Sequence, residues 1–174
     1  MAKSDTFILR TTVDSDGTNY VSSDIDISAY VDPARGKILV CDRSWITFTT
    51  DGNGPIVPAD VVSSGTGGVE MGAQVCTETQ TALVAASDNS LFMLNNIYVT
   101  VGTAGMITFL NETSAMNPGE YTGGFLIPTD KIHCGAKTGG AWNAEIRMGF
   151  VFEVHTEKLS LQRIQELLVS LTAN

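Results

Sequence analysis

Glu145-Ile146-Arg147-Met148-Gly149-Phe150-Val151-Phe152 sets Ile146, Met148, Phe150 and Phe152 on one side of an extended chain and Glu145, Arg147, Gly149 and Val151 on the other. Successive side chains of a strand point to opposite faces, so a period of two marks a strand that buries one face. The stretch from Asp24 to Val31 repeats the pattern, with Ile25, Ile27 and Ala29 opposite Asp24, Asp26 and Ser28. Segments of this kind, rich in Val, Ile, Thr and Phe, recur between clusters of Gly, Pro, Asn and Asp. Eight are predicted, at 6–13, 24–31, 37–50, 73–86, 91–101, 106–110, 121–134 and 144–157. Gly123-Gly124 and Pro128 interrupt the seventh.

The connections carry turn chemistry. Asp14-Ser15-Asp16-Gly17 reads as a hairpin turn, and Asp51-Gly52-Asn53-Gly54-Pro55 ends the third strand, glycine supplying positive φ and proline withholding a ladder donor. Residues 55 to 72 hold few large side chains and are expected to form an exposed excursion. One helix is predicted, over about 160–172. Leu161, Ile164, Leu167, Leu168 and Leu171 repeat at helical spacing, Ser160 is the expected N-cap, and Gln162, Arg163, Gln165, Glu166 and Ser170 form the polar side. So short a helix is marginal alone and needs a surface on which to dock, its own body first or a neighbour.

The 174 residues fit one domain, 1–174, since single cores commonly span about 100–200 residues. Hydrophobic residues make up 43% and charged residues 17% of the chain, an apolar balance that leaves surface for other subunits. The net charge of −9 repels phosphate, so direct nucleic-acid binding is not expected, and no basic arm is visible among the first twenty residues. The start lacks the pattern of a signal peptide, and no apolar run reaches the roughly 18–20 residues of a membrane span, so synthesis in the cytoplasm is the expectation. Cys41, Cys76 and Cys134 lie far apart with no CxxC spacing, and an odd number cannot all pair, which points to buried free thiols.

Each constellation that resembles a reactive site fails on spacing. His133 and His155, the two histidines, have no accompanying nucleophile motif. His133 and Cys134 are adjacent and so face opposite ways in a strand, which prevents both from closing on one metal. Gly135-Ala136-Lys137-Thr138-Gly139-Gly140 lacks the earlier glycine of a phosphate loop and reads as a turn between the last two strands. Asp14 to Asn19 departs from a calcium loop in register, with glycine two places early and no glutamate at the expected distance. Trp45, Trp142 and Tyr121 read as core or interface anchors ahead of a sugar-stacking platform. No catalytic residue, cofactor or metal is predicted.

Eight strands, a long loop after the third and an acidic chain favour an all-β fold, a single eight-stranded jelly-roll sandwich with a short C-terminal helix. The runs Asp24-Ile25-Asp26-Ile27-Ser28-Ala29-Tyr30-Val31-Asp32-Pro33, Gly36-Lys37-Ile38-Leu39-Val40, Trp45-Ile46-Thr47-Phe48 and Glu145-Ile146-Arg147-Met148-Gly149-Phe150 follow one another in a layout that covers most of the chain. In this layout the chain resembles the single jelly-roll capsid proteins of tailless icosahedral viruses. The resemblance implies a capsid subunit located in the virion, partnered by copies of itself and by other capsid proteins. The missing basic arm departs from small RNA-virus coat proteins and fits shells built over a membrane or a separate core. The interface elements expected from this reading are the helix stripe (Ile164, Leu167, Leu168 and Leu171), the loop from Pro55 to Gly72 with Pro55, Val57 and Pro58, and the loop from Thr113 to Gly119. The alternative is a carbohydrate- or receptor-binding β-sandwich such as a spike or fibre head.

Overall fold

The computed structural model describes residues 4–63, 65–113 and 116–172. Among them nine strands form two antiparallel sheets: β1 (Phe7–Asp14), β2 (Val21–Asp26), β3 (Lys37–Thr50), β4 (Gly67–Cys76), β5 (Leu91–Val101), β6 (Ile107–Thr113), β7 (Phe125–Ile127), β8 (Lys131–Thr138) and β9 (Ile146–Lys158). A one-turn helix α1 (Pro58–Val61) follows β3, and α2 (Leu161–Thr172) follows β9. One sheet has the order β1-β9-β3-β7 and the other β2-β8-β4-β5-β6. Consecutive strands therefore change sheets at β1/β2, β2/β3, β3/β4, β6/β7, β7/β8 and β8/β9, while β4, β5 and β6 follow one another within the larger sheet. The first four strands of the larger sheet, facing the smaller one, make the eight-stranded jelly roll of two four-stranded sheets. β6 is an addition at the edge, hydrogen-bonded to β5.

The alternation in β9 fixes its register. Ile146, Met148, Phe150, Phe152 and Val154 are wholly buried between the sheets, opposite Phe92, Met93, Ile97 and Val99 of β5 and Met71, Ala73 and Val75 of β4 within one apolar core. A second, smaller cluster lies on the outer face of the four-stranded sheet. There Ile164 of α2 covers Ile38 and Val40, with Leu126 and Leu159 packed around them. Fully burying such aliphatic side chains contributes about 1.5–3 kcal/mol each, so this docking holds a helix too short to stand alone. Ser160 caps it, its Oγ accepting from the Arg163 N–H at 3.3 Å.

Several boundaries differ from the sequence reading. The predicted strand 24–31 is β2 at Val21–Asp26, because the Asp26 carboxylate accepts from the Ser28 N–H at 2.9 Å and turns the chain. Ile27 stays fully buried beyond the strand end, so the apolar alternation outlasts the strand. The excursion expected over 55–72 is shorter. Asp60 accepts from the Val57 N–H at 2.8 Å to start α1, and β4 already begins at Gly67. At the other end β4 stops at Cys76, ten residues before the predicted Ala86. The segment 121–134 divides into β7 and β8, the glycines Gly123 and Gly124 both taking positive φ before β7. Gly135 to Thr138 belong to β8 rather than to the following turn. Asp14 to Asn19 is a corner between sheets in which the Asn19 N–H donates to the Asp16 carbonyl at 2.9 Å.

Candidate functional site

Two kinds of place are relevant to function: surfaces that another molecule could cover, and buried polar groups that could act chemically. On α2 the predicted stripe divides. Ile164 and Leu171 are buried, Leu167 is half-buried, and Leu161 and Leu168 remain exposed, with Val169 exposed beyond them. After β3, Pro55 and Val57 are exposed and Pro58 is half-buried at the start of α1. In the loop from Thr113 to Gly119, Ser114 and Ala115 lie outside the described residues; Asn117 ties the remainder to β3 by donating to the Ser44 carbonyl at 3.3 Å. Other large apolar side chains at the surface are Ile8, Trp45, Met106, Phe109 and Leu110. Met106, Phe109 and Leu110 fall in and beside β6, a concentration that alternation alone did not single out.

The aromatic residues considered for a sugar platform stand in separate environments. Trp45 is paired across the ladder with Val151 on the outer face of the four-stranded sheet. Trp142 packs on the main core, and Tyr121 sits against Phe125 with ring centroids 5.7 Å apart.

His133 is 1% exposed and stands on the outer face of β8, opposite to Cys134, which points into the core. Its Nδ1 meets Asp24 Oδ1 at 2.5 Å and its Nε2 meets the Tyr20 hydroxyl at 3.0 Å. Gln74 donates to the same hydroxyl at 2.9 Å and to the Ala82 carbonyl at 2.8 Å, while its Oε1 accepts from the Val84 N–H at 2.8 Å. Burial pushes the Tyr20 phenol up to about 12, against the hydrogen bond from Gln74. Tyr20 therefore stays protonated, its hydroxyl set between His133 Nε2 and the Gln74 amide, while His133 Nδ1 faces the Asp24 carboxylate. Partial burial works against the charge on Asp24, but the hydrogen bond and charge of His133 and the nearby Lys131 outweigh it and hold the carboxyl below its ordinary value. A carboxylate and a histidine aligned on a hydroxyl resemble a nucleophile triad. Here the hydroxyl is a phenol held in its neutral form and engaged on both sides, so the chain of bonds fastens the segment between β4 and β5 to the outer sheet face. Leu83 of that segment lies where a Cβ on Gly72 would stand, 2.8 Å from it.

His155, 3% exposed on β9, shares its Nδ1 with Asp42 Oδ2 at 2.6 Å, and its Nε2 has no hydrogen-bond partner among the described residues. Arg147 grips Asp14 with two bonds, Nε to Oδ1 at 2.6 Å and Nη2 to Oδ2 at 2.9 Å, and holds that carboxyl below its ordinary value. The other carboxylate of the segment from Asp14 to Asn19, that of Asp16, accepts from the Asn19 side chain at 3.1 Å. Among the described residues no three His, Cys, Asp or Glu side chains are grouped to hold a metal ion. Cys41, Cys76 and Cys134 are free and buried. An open cleft of about 840 Å³ is lined by Asp32, Arg35, Lys37, Glu157 and Lys158 among others, with Arg35 and Asp32 paired at 3.6 Å. No described helix is long and apolar enough to cross a membrane.

No family model matches the sequence, and no curated protein is significantly similar to it. Among solved structures, the chain is similar to a mutant of the unassembled Washington University polyomavirus VP1 pentamer, at 10% identity over 88% of this chain and 93% of that one, with a TM-score of 0.45. It is also similar to a chain of turnip yellow mosaic virus, at 11% identity over 89% of this chain and 95% of that one, with a TM-score of 0.33. The assignment to a jelly roll rests on the strand order of the chain itself.

Proposed function

We propose that the protein is a viral structural protein, a capsid subunit that assembles with copies of itself, alone or with a second capsid protein, into an icosahedral shell. The observation that carries this reading is a filled jelly roll that leaves Trp45, Val57, Met106, Phe109 and Leu110 at its surface. Exposed large apolar side chains grouped in one part of a folded domain, as Met106, Phe109 and Leu110 are in and beside β6, mark a place that another protein covers. In a closed shell each contact is repeated by symmetry, so modest burial at each one holds a large particle together. The role is structural rather than enzymatic: His133 and Tyr20 are locked into holding a loop, and the chain's work lies at its surface. Its place on this reading is the virion.

Light scattering behind size exclusion, followed by electron microscopy of the purified protein with and without co-expressed virion proteins, tests the proposal. Regular particles of uniform diameter are expected. A monodisperse monomer under every such condition would overturn it, and binding on a glycan array would then favour the spike or fibre-head alternative.

A further inference from the structure

Two sheets that are not closed into a barrel leave four edges, formed by β1, β7, β2 and β6. Unpaired edge strands are templates for pairing with another chain, and proteins protect them with charge, proline, bulges or shortness. Three of these edges are protected. β7 is three residues long, β2 carries Asp24 and Asp26, and β1 carries Arg10 and Asp14 and is tied to β2 where Thr11 and Ser23 hydroxyls meet at 3.1 Å. β6 is the least protected, its one charge being Glu112 near its end. Its seven residues pair with β5 without a bulge, it contains no proline or lysine, and Phe109 and Leu110 are 47% and 61% exposed, with Met106 at 67% beside them.

The backbone phase of the edge follows from the turn. Gly102 donates to the Met106 carbonyl at 2.7 Å, and antiparallel partners alternate between bonded and non-bonded pairs. Counting from that pair, Thr108 and Leu110 bond to β5, and Ile107, Phe109 and Asn111 turn their N–H and C=O groups to the open side. The charge distribution selects the occupant. The chain carries −9, yet no charged residue occurs from Leu91 to Asn111. A cationic partner would be drawn to the carboxylates elsewhere. The neutral strip is where two equally acidic bodies approach with least repulsion.

We propose that β6 is a homotypic interface, on which the β6 strand of a second copy adds antiparallel about a two-fold axis and joins the two five-stranded sheets into one. A two-fold through Phe109 sets that ring against its own copy and pairs Ile107 with Asn111 of the second copy. It also sets Glu112, the strand's one charged residue, opposite the second copy's Met106 rather than another Glu112. Backbone bonding supplies the adhesion and the aromatic pair fixes the register.

The proposal deepens the shell reading by naming one contact, and it rests on that reading only for its biological purpose. Two variants separate the cases. Asn111→Pro removes an outward N–H while leaving the bonds to β5, a placement that edge strands accept, and Phe109→Lys installs a charge that repels its own copy. Sedimentation of the wild type and both variants, with circular dichroism to check folding, is the measurement. The expected result is a wild-type dimer or larger particle whose two-fold contact is lost in both variants, halving the mass of the smallest species. Dimers that the variants split, with no particle in any sample, would sustain the edge and sink the shell. Particles unchanged in both variants would sink the edge and leave the shell standing, and dimers unchanged in both with no particle in any sample would sink both. Should a variant fail to fold, amide exchange on the unaltered chain decides: protection of the Ile107, Phe109 and Asn111 N–H groups must rise with protein concentration, and protection independent of concentration overturns the proposal.

Discussion

The Tyr20 hydroxyl lies 3.0 Å from Nε2 of His133, a residue 113 positions away, and thereby joins the corner before β2 to β8. Tyr20→Phe leaves both Nε2 of His133 and one donor of Gln74 without this partner. Unfolding in denaturant should show a loss of about 1–3 kcal/mol, the usual cost of stranding a buried polar group. Gly135→Ala should produce an equal or larger loss, because its Cβ would overlap the Tyr20 hydroxyl. Stability unchanged by either substitution would mean that the hydroxyl is not held there.

Loss of Gln74 should act locally. Gln74→Ala removes the acceptor of the Val84 N–H and the donor to the Ala82 carbonyl. Amide exchange should quicken over 77–90 while β9 keeps its protection, since few other bonds hold that segment to the sheet.

Acid should weaken the protein through Asp14 and Asp24. Both are depressed: Asp14 chiefly by its hydrogen bonds from Arg147, and Asp24 by His133 and Lys131 despite the opposing effect of burial. A carboxyl whose folded pKa lies below the unfolded one contributes stability that is complete above the unfolded value and disappears as pH falls through the folded value. The melting temperature should therefore drop as pH is lowered below the ordinary value of 3.8. Asp14→Asn should lower it at neutral pH and make the acid fall shallower; an acid limb identical to that of the wild type would remove Asp14 from the account.

The thiols should be silent in the native state. Burial pushes Cys41 and Cys76 up to about 12 and Cys134 well above its ordinary value, so almost no thiolate is present at pH 8. A thiol reagent should label none of them quickly before denaturation and all three after it. Rapid native labelling of any one would show that its strand opens.

On α2, Ile164 and Leu168 should behave differently although four residues separate them. Ile164 is 2% exposed against Ile38 and Val40, and Ile164→Ala should cost about 2–5 kcal/mol, measured by denaturant unfolding. Leu168 is 36% exposed, and Leu168→Asp should change stability much less. Assembly lost in Leu168→Asp with stability retained would place α2 at a subunit contact; particles formed normally by that variant would exclude it.

Strands whose faces differ in polarity could be read directly. β9 was visible because its inward residues, Ile146, Met148, Phe150 and Phe152, are large and most of its outward ones are small or polar. The start of β4 was hidden because Gly67 and Gly68 look like loop residues, whereas in the sheet Gly68 makes room for Thr100, whose Cγ2 would stand 3.0 Å from an added Cβ. The end of the same strand was overrun because Thr77 onward continues in sheet-forming residues that instead leave the ladder. The partners of both histidines lay beyond the reach of local spacing, since Asp24 and Asp42 meet them only through long-range ladder register. Exposure at Met106, Phe109 and Leu110 was likewise not legible, because it depends on β6 lying at a sheet edge.

The position of β9 between β1 and β3 has a consequence for the order of events during synthesis. Phe7 cannot find Val154, nor Thr50 find Ile146, until β9 has left the ribosome. Pairings of such long sequence separation make folding slow and leave β1 and β3 waiting with bare ladders. Nascent chains stopped before Ile146 should accordingly be captured by chaperones, and release should coincide with the emergence of Lys158.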